Sequence, residues 1–264
     1  MNTLAFHNHE VQRLRRLLGR RSFRVAEKAF VIEGPKVLEE ALDAHATIES
    51  VFVGDGWDNP LLERLPHTTR RFVLDRNTLA RVGDTETPQP VLAVVRRSLR
   101  SLDTLREPLS MGGFVVVASA LQDPGNCGTI IRSGEGAGAC GVVLCDNSVD
   151  PTAPKVLRST AGAFFHLPVI EHGEVGDLIT TLQGWGVRCF ATSSVIEGGV
   201  APDFVDLRGA TAIIVGNEAH GLDPSALALV DGLLTIPTLG RTESLNVAMS
   251  ATLIAFEAAR QRRS

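Results

Sequence analysis

The chain has 264 residues, 44% of them hydrophobic. That is enough for two domains with sizeable cores, and too apolar for global disorder. The formal net charge is −4, so overall charge does not mark a binder of polyanions, and only local clusters can make that case. The four cysteines, Cys127, Cys140, Cys145 and Cys189, lie in or beside apolar runs and never form CxxC. They read as buried free thiols in a reducing compartment, not as a zinc site or a disulfide framework. No apolar stretch approaches ~18 residues and the N-terminus has no signal-like apolar region. The expectation is a cytoplasmic protein without a membrane span.

His9 to Lys28 has helical spacing at Val11, Leu14, Leu17 and Leu18. Between residues 13 and 28, Arg13, Arg15, Arg16, Arg20, Arg21, Arg24 and Lys28 stand against one acid, Glu27. Such a run is either a solvated helix face or a surface for phosphates. Mostly unopposed arginines favour the second, because the guanidinium fork suits phosphate. Ala29–Glu33 is a short strand stopped by Gly34-Pro35, with Pro35 placed to open a helix to about Ala44. Strands are expected at Ile48–Val53, Arg71–Leu74 and Val91–Val95. Short helices are expected over Asn59–Leu65 and up to Val82, the latter capped by Asp75 or Asn77. This β/α alternation makes a small three-layer domain over residues 1–98. The polar stretch 83–90 is a contact loop or a turn. A linker is expected at 99–110, and a second domain over 111–264.

In the second domain, Phe114–Ala118 is a continuous β-branched run, as in a buried parallel strand. Asp123 or Asn126 caps the helix that follows, which carries Arg132. Gly136-Ala-Gly138-Ala-Cys-Gly141 matches G-x-G-x-x-G, but it closes a helix and precedes a strand. A dinucleotide fingerprint does the reverse, so a nicotinamide site is rejected. No phosphate-binding G-x-x-x-x-G-K-[ST] loop occurs in the sequence. A helix bearing Lys155 and Arg158 follows Asp150, and another spans Val175–Leu182. Strands over Val187–Ala191, Ala212–Val215 and Gly232–Ile236 then deliver three polar ends: Thr192, Ser193 and Ser194; Gly216, Asn217 and Glu218; and Pro237 to Gly240. In open α/β sheets ligands bind at such ends. The chain closes on an alanine-rich helix from Leu245 to Arg260.

Three patterns occur in order: Asn126-x-Gly128-x-x-x-Arg132, Gly216-Asn-Glu218-x-x-Gly221, and Ile236-Pro-x6-Ser244-Leu-Asn246-x-Ala248. Together they resemble the motifs of SpoU-type (TrmH-like) RNA ribose methyltransferases of the SPOUT class, over about residues 114–260. The first hundred residues, with the basic helix and Val31-Ile-Glu-Gly34, resemble the L30e-like substrate-binding domain often attached to that family.

The resemblance implies an α/β fold of the SPOUT type, a parallel sheet with a C-terminal trefoil knot, preceded by a smaller L30e-like α/β domain. It implies S-adenosyl-L-methionine as methyl donor, no metal, and a homodimer whose subunits combine catalytic groups. The reaction would be methylation of a ribose 2′-hydroxyl in RNA, with ribosomal RNA preferred and transfer RNA as the alternative. A non-catalytic RNA-binding or assembly protein on the same fold is the reading from another class. By resemblance Arg132, Asn126, Glu218, Ser244 and Asn246 would be catalytic. Thr192, Gly216, Asn217, Gly221, Ile236, Pro237 and Leu245 would bind the cofactor. Arg13, Arg15, Arg16, Arg20, Arg21 and Arg24 are the candidate RNA contacts. Ser244 and Asn246 equally fit simple capping of the last helix. The face Leu245, Ala248, Thr252, Ala255 and Ala259 suits either a dimer contact or the domain's own core.

Overall fold

The computed structural model describes residues 2–83, 88–98, 100–193, 198–242 and 244–263. Residues 84–87 of the expected contact loop, Leu99 of the expected linker and the expected strand-end hydroxyl of Ser194 lie outside them. The chain divides into two compact units. The first comprises residues 1–98 and 150–165, and the second 99–149 and 166–264.

The first unit runs β1 (Asn2–Leu4), α1 (His9–Gly19), α2 (Arg21–Glu27), β2 (Ala29–Glu33), α3 (Pro35–Asp43), β3 (Ile48–Gly54), β4 (Arg70–Leu74), α4 (Arg76–Val82) and β5 (Val91–Arg96). Its sheet has the order β1-β4-β3-β5-β2, with β5 antiparallel to both neighbours. Strand alternation sorts the side chains onto two faces. Phe30, Ile32, Val51, Val53, Ala93 and Val95 pack with Leu38 and Ala41 of α3 on one side. Ala29, Val31, Phe52, Leu92 and Val94 pack with Val11, Leu14 and Leu17 of α1 on the other. This gives the three layers that the alternation required.

The expected helix over His9–Lys28 is two helices. Arg20 is extended, with φ −130°, and serves as the C-cap of α1 and the N-cap of α2. The break turns Arg24 inward. Arg24 is buried, its Nε and Nη2 held by Asp150 Oδ2 at 2.8 and 2.7 Å, and its Nη1 donates to the carbonyl oxygens of Leu17 and Leu18. It is therefore withdrawn from any RNA surface. Arg13 is also committed, with Nε to Glu27 at 2.8 Å and Nη2 to Glu49 at 2.9 Å. The sequence showed Glu27, but only the fold brings up Glu49 and Asp150.

The second unit runs α5 (Arg106–Ser110), β6 (Phe114–Ser119), α6 (Pro124–Gly136) and β7 (Gly141–Cys145). The chain then lends α7 (Pro154–Thr160) to the first unit, where Leu157 joins the core and Arg158 meets Glu33 at 3.3 Å. The expected second domain, drawn as one continuous stretch, is thus interrupted by residues 150–165. It resumes with β8 (Val169–Glu171), α8 (Val175–Gly184), β9 (Arg188–Thr192), β10 (Gly199–Val200), β11 (Thr211–Val215), α9 (Pro224–Leu227), β12 (Gly232–Leu234) and α10 (Val247–Arg262).

The seven-stranded sheet of this unit is parallel, in the order β10-β12-β9-β11-β6-β7-β8. One face carries Val115, Val117, Ala212 and Ile214 against α8 and against Leu105 and Leu109. Those two leucines lie in the expected linker, so that stretch is a packed part of the second unit, not a spacer. The opposite face is covered by α6 and α10. Cys127, Cys145 and Cys189 are buried, and none of the four cysteines is in a disulfide. Burial pushes Cys140 up to about 11 and Cys189 up to about 12, which leaves inert thiols.

Burial alone would push the Asp150 carboxyl up. Hydrogen bonds from Thr152 and the adjacent Arg24 outweigh it and hold the group below the usual carboxylate range. The stability from this contact is therefore complete above the unfolded carboxyl pKa of ~3.9, and it is lost as pH falls through the lower folded value. Arg24→Met would leave a buried carboxylate unpaired, and should cost about 3–5 kcal/mol in urea unfolding at neutral pH. Arg20→Met, at an exposed neighbour, should stay within about 0.5 kcal/mol. Equal midpoints for the two variants would remove the anchoring role of Arg24.

Candidate active site

The strand order places the carboxyl ends of β12, β9, β11 and β6 side by side, all pointing the same way. After β6 the chain steps outward to β7 and β8, then returns on the other side of β6 with β9 and β11. This is a topological switch point, where open sheets form a crevice at the strand ends. The three sequence motifs leave the sheet here.

The first motif opens α6. Asp123 is the N-cap, its Oδ1 accepting from the Asn126 backbone N–H at 2.8 Å. That leaves the Asn126 side chain for other work. Its Nδ2 donates to Glu218 Oε1 at 3.0 Å, and its Oδ1 accepts from Asn246 Nδ2 at 3.0 Å. Asn246 in turn caps α10, its Oδ1 accepting from the N–H groups of Ala248 at 2.9 Å and Met249 at 3.3 Å. A carboxylate only accepts and a helix N-terminus only donates. The two amides between them can therefore satisfy every contact in one orientation. Three motifs, up to 120 residues apart, are thereby locked into one polarised chain.

The second motif is a tight loop. The N–H and C=O groups of Asn217 and Gly221 exchange hydrogen bonds at 2.9 Å each. The Asn217 side chain ties this loop to β6, with Nδ2 to the Ala120 carbonyl at 2.9 Å, while its Oδ1 accepts from the Ala219 and His220 N–H groups. The expected cofactor-binding side chain of Asn217 is thus spent on shaping the loop. Gly216 meets its own chain: a Cβ there would stand 2.3 Å from the Gly221 carbonyl carbon and 2.4 Å from the Leu222 nitrogen. Sequence reasoning assigned this glycine to close approach of the cofactor, and the structure gives it an approach within the protein. Gly221 is required for a different reason, its φ of +70°.

The third motif follows β12. Thr192, at the end of β9, pairs with Leu234, and the Ser193 N–H donates to the Leu234 carbonyl at 3.0 Å. This holds the start of the Ile236–Pro237 turn beside Thr192. Ile236 is half-buried, while Leu239 is fully exposed and Leu245 borderline exposed. Ser244 is exposed and its carbonyl accepts from Thr242 Oγ1 at 2.9 Å. Asn246 is the helix cap and Ser244 precedes it, so capping is Asn246's task alone.

The uncovered Leu239 and Leu245, beside a glycine-shaped loop, offer apolar walls of the kind a flat aromatic ligand ring takes. Among the described residues, no three His, Cys, Asp or Glu side chains gather as metal ligands.

Arg132 is not brought to this cluster. It lies six residues beyond Asn126 on α6, hence about 9 Å along the helix and roughly 120° around it. It is exposed and makes no hydrogen bond or ion pair among the described residues. One turn further, Gly136 faces the Phe256 ring of α10, with 3.7 Å between its would-be Cβ and that ring. Phe256 belongs to a feature missed at the sequence level. Met249, Leu253 and Phe256, at helical spacing, are 53%, 49% and 45% exposed. Of the face singled out beforehand, Ala248 and Ala255 are buried with Ala251, Ile254 and Ala258, in keeping with its core alternative, while Leu245 is exposed. Sorting α10 by side-chain size as well as by polarity would have separated the two stripes.

The chain was compared with known proteins. Residues 113–256 match the SpoU rRNA Methylase family, and residues 8–93 match the MRM3-like substrate binding domain. The 23S rRNA (guanosine(2553)-2′-O)-methyltransferase RlmP of Bacillus subtilis is 33% identical over 88% of this chain and 89% of its own. A 23S rRNA (uridine(2479)-2′-O)-methyltransferase of Streptomyces viridochromogenes is 30% identical over 97% of this chain and 91% of its own. Among solved structures, the SpoU methyltransferase AviRb from Streptomyces viridochromogenes, in complex with AdoMet, superposes with a TM-score of 0.89. It is 27% identical and covers 98% of this chain and 99% of that one. The parallel sheet, the hydrogen-bonded motifs and these likenesses agree: the chain belongs to the SpoU rRNA Methylase family, and is an S-adenosylmethionine-dependent RNA ribose 2′-O-methyltransferase with an MRM3-like substrate binding domain.

Proposed function

We propose that the chain methylates a ribose 2′-hydroxyl of 23S ribosomal RNA in the cytoplasm, as a homodimer with the family's C-terminal knot, and that each subunit lends Arg132 to its partner's site. The observation that carries this reading is the Asn126–Glu218–Asn246 chain, which joins all three motifs without Arg132. The choice of ribosomal RNA is supported by relatives that match across both units and are named for 23S rRNA.

When bound, S-adenosylmethionine supplies a methyl group on an already activated leaving group. Ile236, Pro237, Leu245 and the neighbouring Leu239 would wall it, with Thr192 at the adjacent strand end and the Gly216–Gly221 loop beneath. The remaining task is to align the ribose oxygen and manage its proton. Arginine stays protonated in proteins, so Arg132 is not the base. Its guanidinium would stabilise the developing alkoxide and hold the adjacent phosphate, while the proton leaves to water or a phosphate oxygen. Asn126 would orient the ribose. Glu218 acts through Asn126 as a positioning residue, and exposed Ser244 is available to substrate at the mouth of α10.

The homodimer is supported by the exposed Met249, Leu253 and Phe256 stripe. A second copy covering that stripe would meet α6 where Gly136 faces Phe256, one turn from Arg132. Arg132 would then point out of its own subunit. For RNA docking, Arg15, Arg16, Arg20 and Arg21 remain as exposed cations of the first unit, while Arg13 and Arg24 do not.

Arg132→Ala should slow single-turnover methylation by about 10²–10³, with S-adenosylmethionine affinity by calorimetry unchanged within a few-fold. Mixing Arg132→Ala with Asn126→Ala subunits should restore activity, because one site per heterodimer then holds both groups. No restoration in verified heterodimers would place Arg132 in its own subunit's site. Met249→Glu with Leu253→Glu should shift sedimentation to a monomer and abolish turnover. A variant that stays dimeric would reject α10 as the interface.

A further inference from the structure

We propose that Phe6, Arg15 and Arg81 form a clamp for one RNA phosphodiester on the first unit. This rests on the reading that the unit docks RNA, and it adds a residue, Arg81, that lies outside the basic helices.

Phe6 sits in the turn between β1 and α1, partly buried against the α1 side of the sheet. The guanidinium of Arg15, from α1, centres 4.6 Å from its ring centroid. The guanidinium of Arg81, from the last turn of α4, centres 3.5 Å from the same centroid. No other described ring in the unit takes two arginines. Phe23 takes Arg16, and Phe72 takes Arg70, which is already ion-paired with Glu10.

The contacts around the ring are built. Gln12 Nε2 donates to the Phe6 carbonyl at 2.6 Å, and Gln12 Oε1 accepts from Arg15 Nη1 at 3.3 Å. Arg13, Arg24, Arg70 and Arg96 of this unit are each matched by a carboxylate. Arg15 and Arg81 have no acidic partner among the described residues. Distances of 4.6 and 3.5 Å from one centroid put the two charges within about 8 Å of each other. That is no more than the screening length of ~8 Å at physiological salt, so solvent ions only partly relieve their repulsion. A shared anion relieves it directly. Each fork presents several parallel N–H donors, which a phosphate accepts and a lone chloride cannot fill. Stacking on one ring restrains both forks in advance, so less freedom is lost on binding.

The test uses the full-length protein and 23S rRNA transcribed in vitro, with binding measured across a salt series. Arg15→Gln with Arg81→Gln should weaken binding about tenfold. The slope of log affinity against log salt should fall by ~0.7, the value for one shared phosphate on a single strand. KM for RNA should rise by a similar factor, with kcat and S-adenosylmethionine affinity unchanged. Lys36→Gln with Arg76→Gln, which removes the same charge from exposed sites of the unit away from the Phe6 ring, should change binding less than threefold. The clamp is overturned if the two double variants behave alike. It is also overturned if Arg20→Glu with Arg21→Glu weakens binding while the Phe6-side variant does not. If no variant of the unit alters the salt slope, the docking role of the whole unit falls.

Discussion

A carboxylate that can only accept and a helix end that can only donate leave two asparagines no choice. Glu218, Asn126 and Asn246 are joined in that sense, and every segment that leaves the sheet's carboxyl edge near β6 and β11 is tied to the result. Losing the Glu218 charge would let the amide of Asn126 turn over at little cost, and the cap of α10 would then face the wrong atom. The constraint is one of hydrogen-bond polarity, not of strength. Individual bonds of this kind contribute only about 1 kcal/mol to stability, but their direction fixes where each side chain points.

The loop that carries Glu218 is made rigid by different means. Gly216 lies so close to Gly221 and Leu222 that no side chain fits, and Asn217 fastens the loop to Ala120 at the end of β6. The glycines of this motif are therefore needed for the protein's own packing before any ligand arrives. The same loop supplies Glu218 from a fixed direction. Arg132 is the contrast. Among the described residues it makes no hydrogen bond or ion pair, as the proposed role across a dimer requires.

Charge on the first unit shows how far a sequence pattern carries. Seven cations over sixteen residues look like one surface when written in a line. Folding divides them. The break at Arg20 buries Arg24 against Asp150 and turns Arg13 to Glu27 and Glu49. Meanwhile Arg81, which lay in an unremarkable short helix, comes to share a ring with Arg15. The acids that decide which arginines are spent are distant in sequence, and one of them belongs to a segment lent by the second half of the chain.

Apolar runs, turn residues and motif spacing determined much by themselves: two α/β units, a parallel sheet in the second, the strand ends that gather Thr192, Gly216 and Pro237, and the family. These are local properties, set by side-chain period and backbone conformation within a few residues. Only the tertiary structure decided that Leu105 and Leu109 of the expected linker belong to a core, that 150–165 crosses to the first unit, that Asn217 is consumed by its own loop, and that the outer face of α10 is Met249, Leu253 and Phe256, not the alanines. Each of those depends on which distant segment a side chain meets. Burial and hydrogen-bond partners are properties of such meetings, and no window of sequence contains both sides of them.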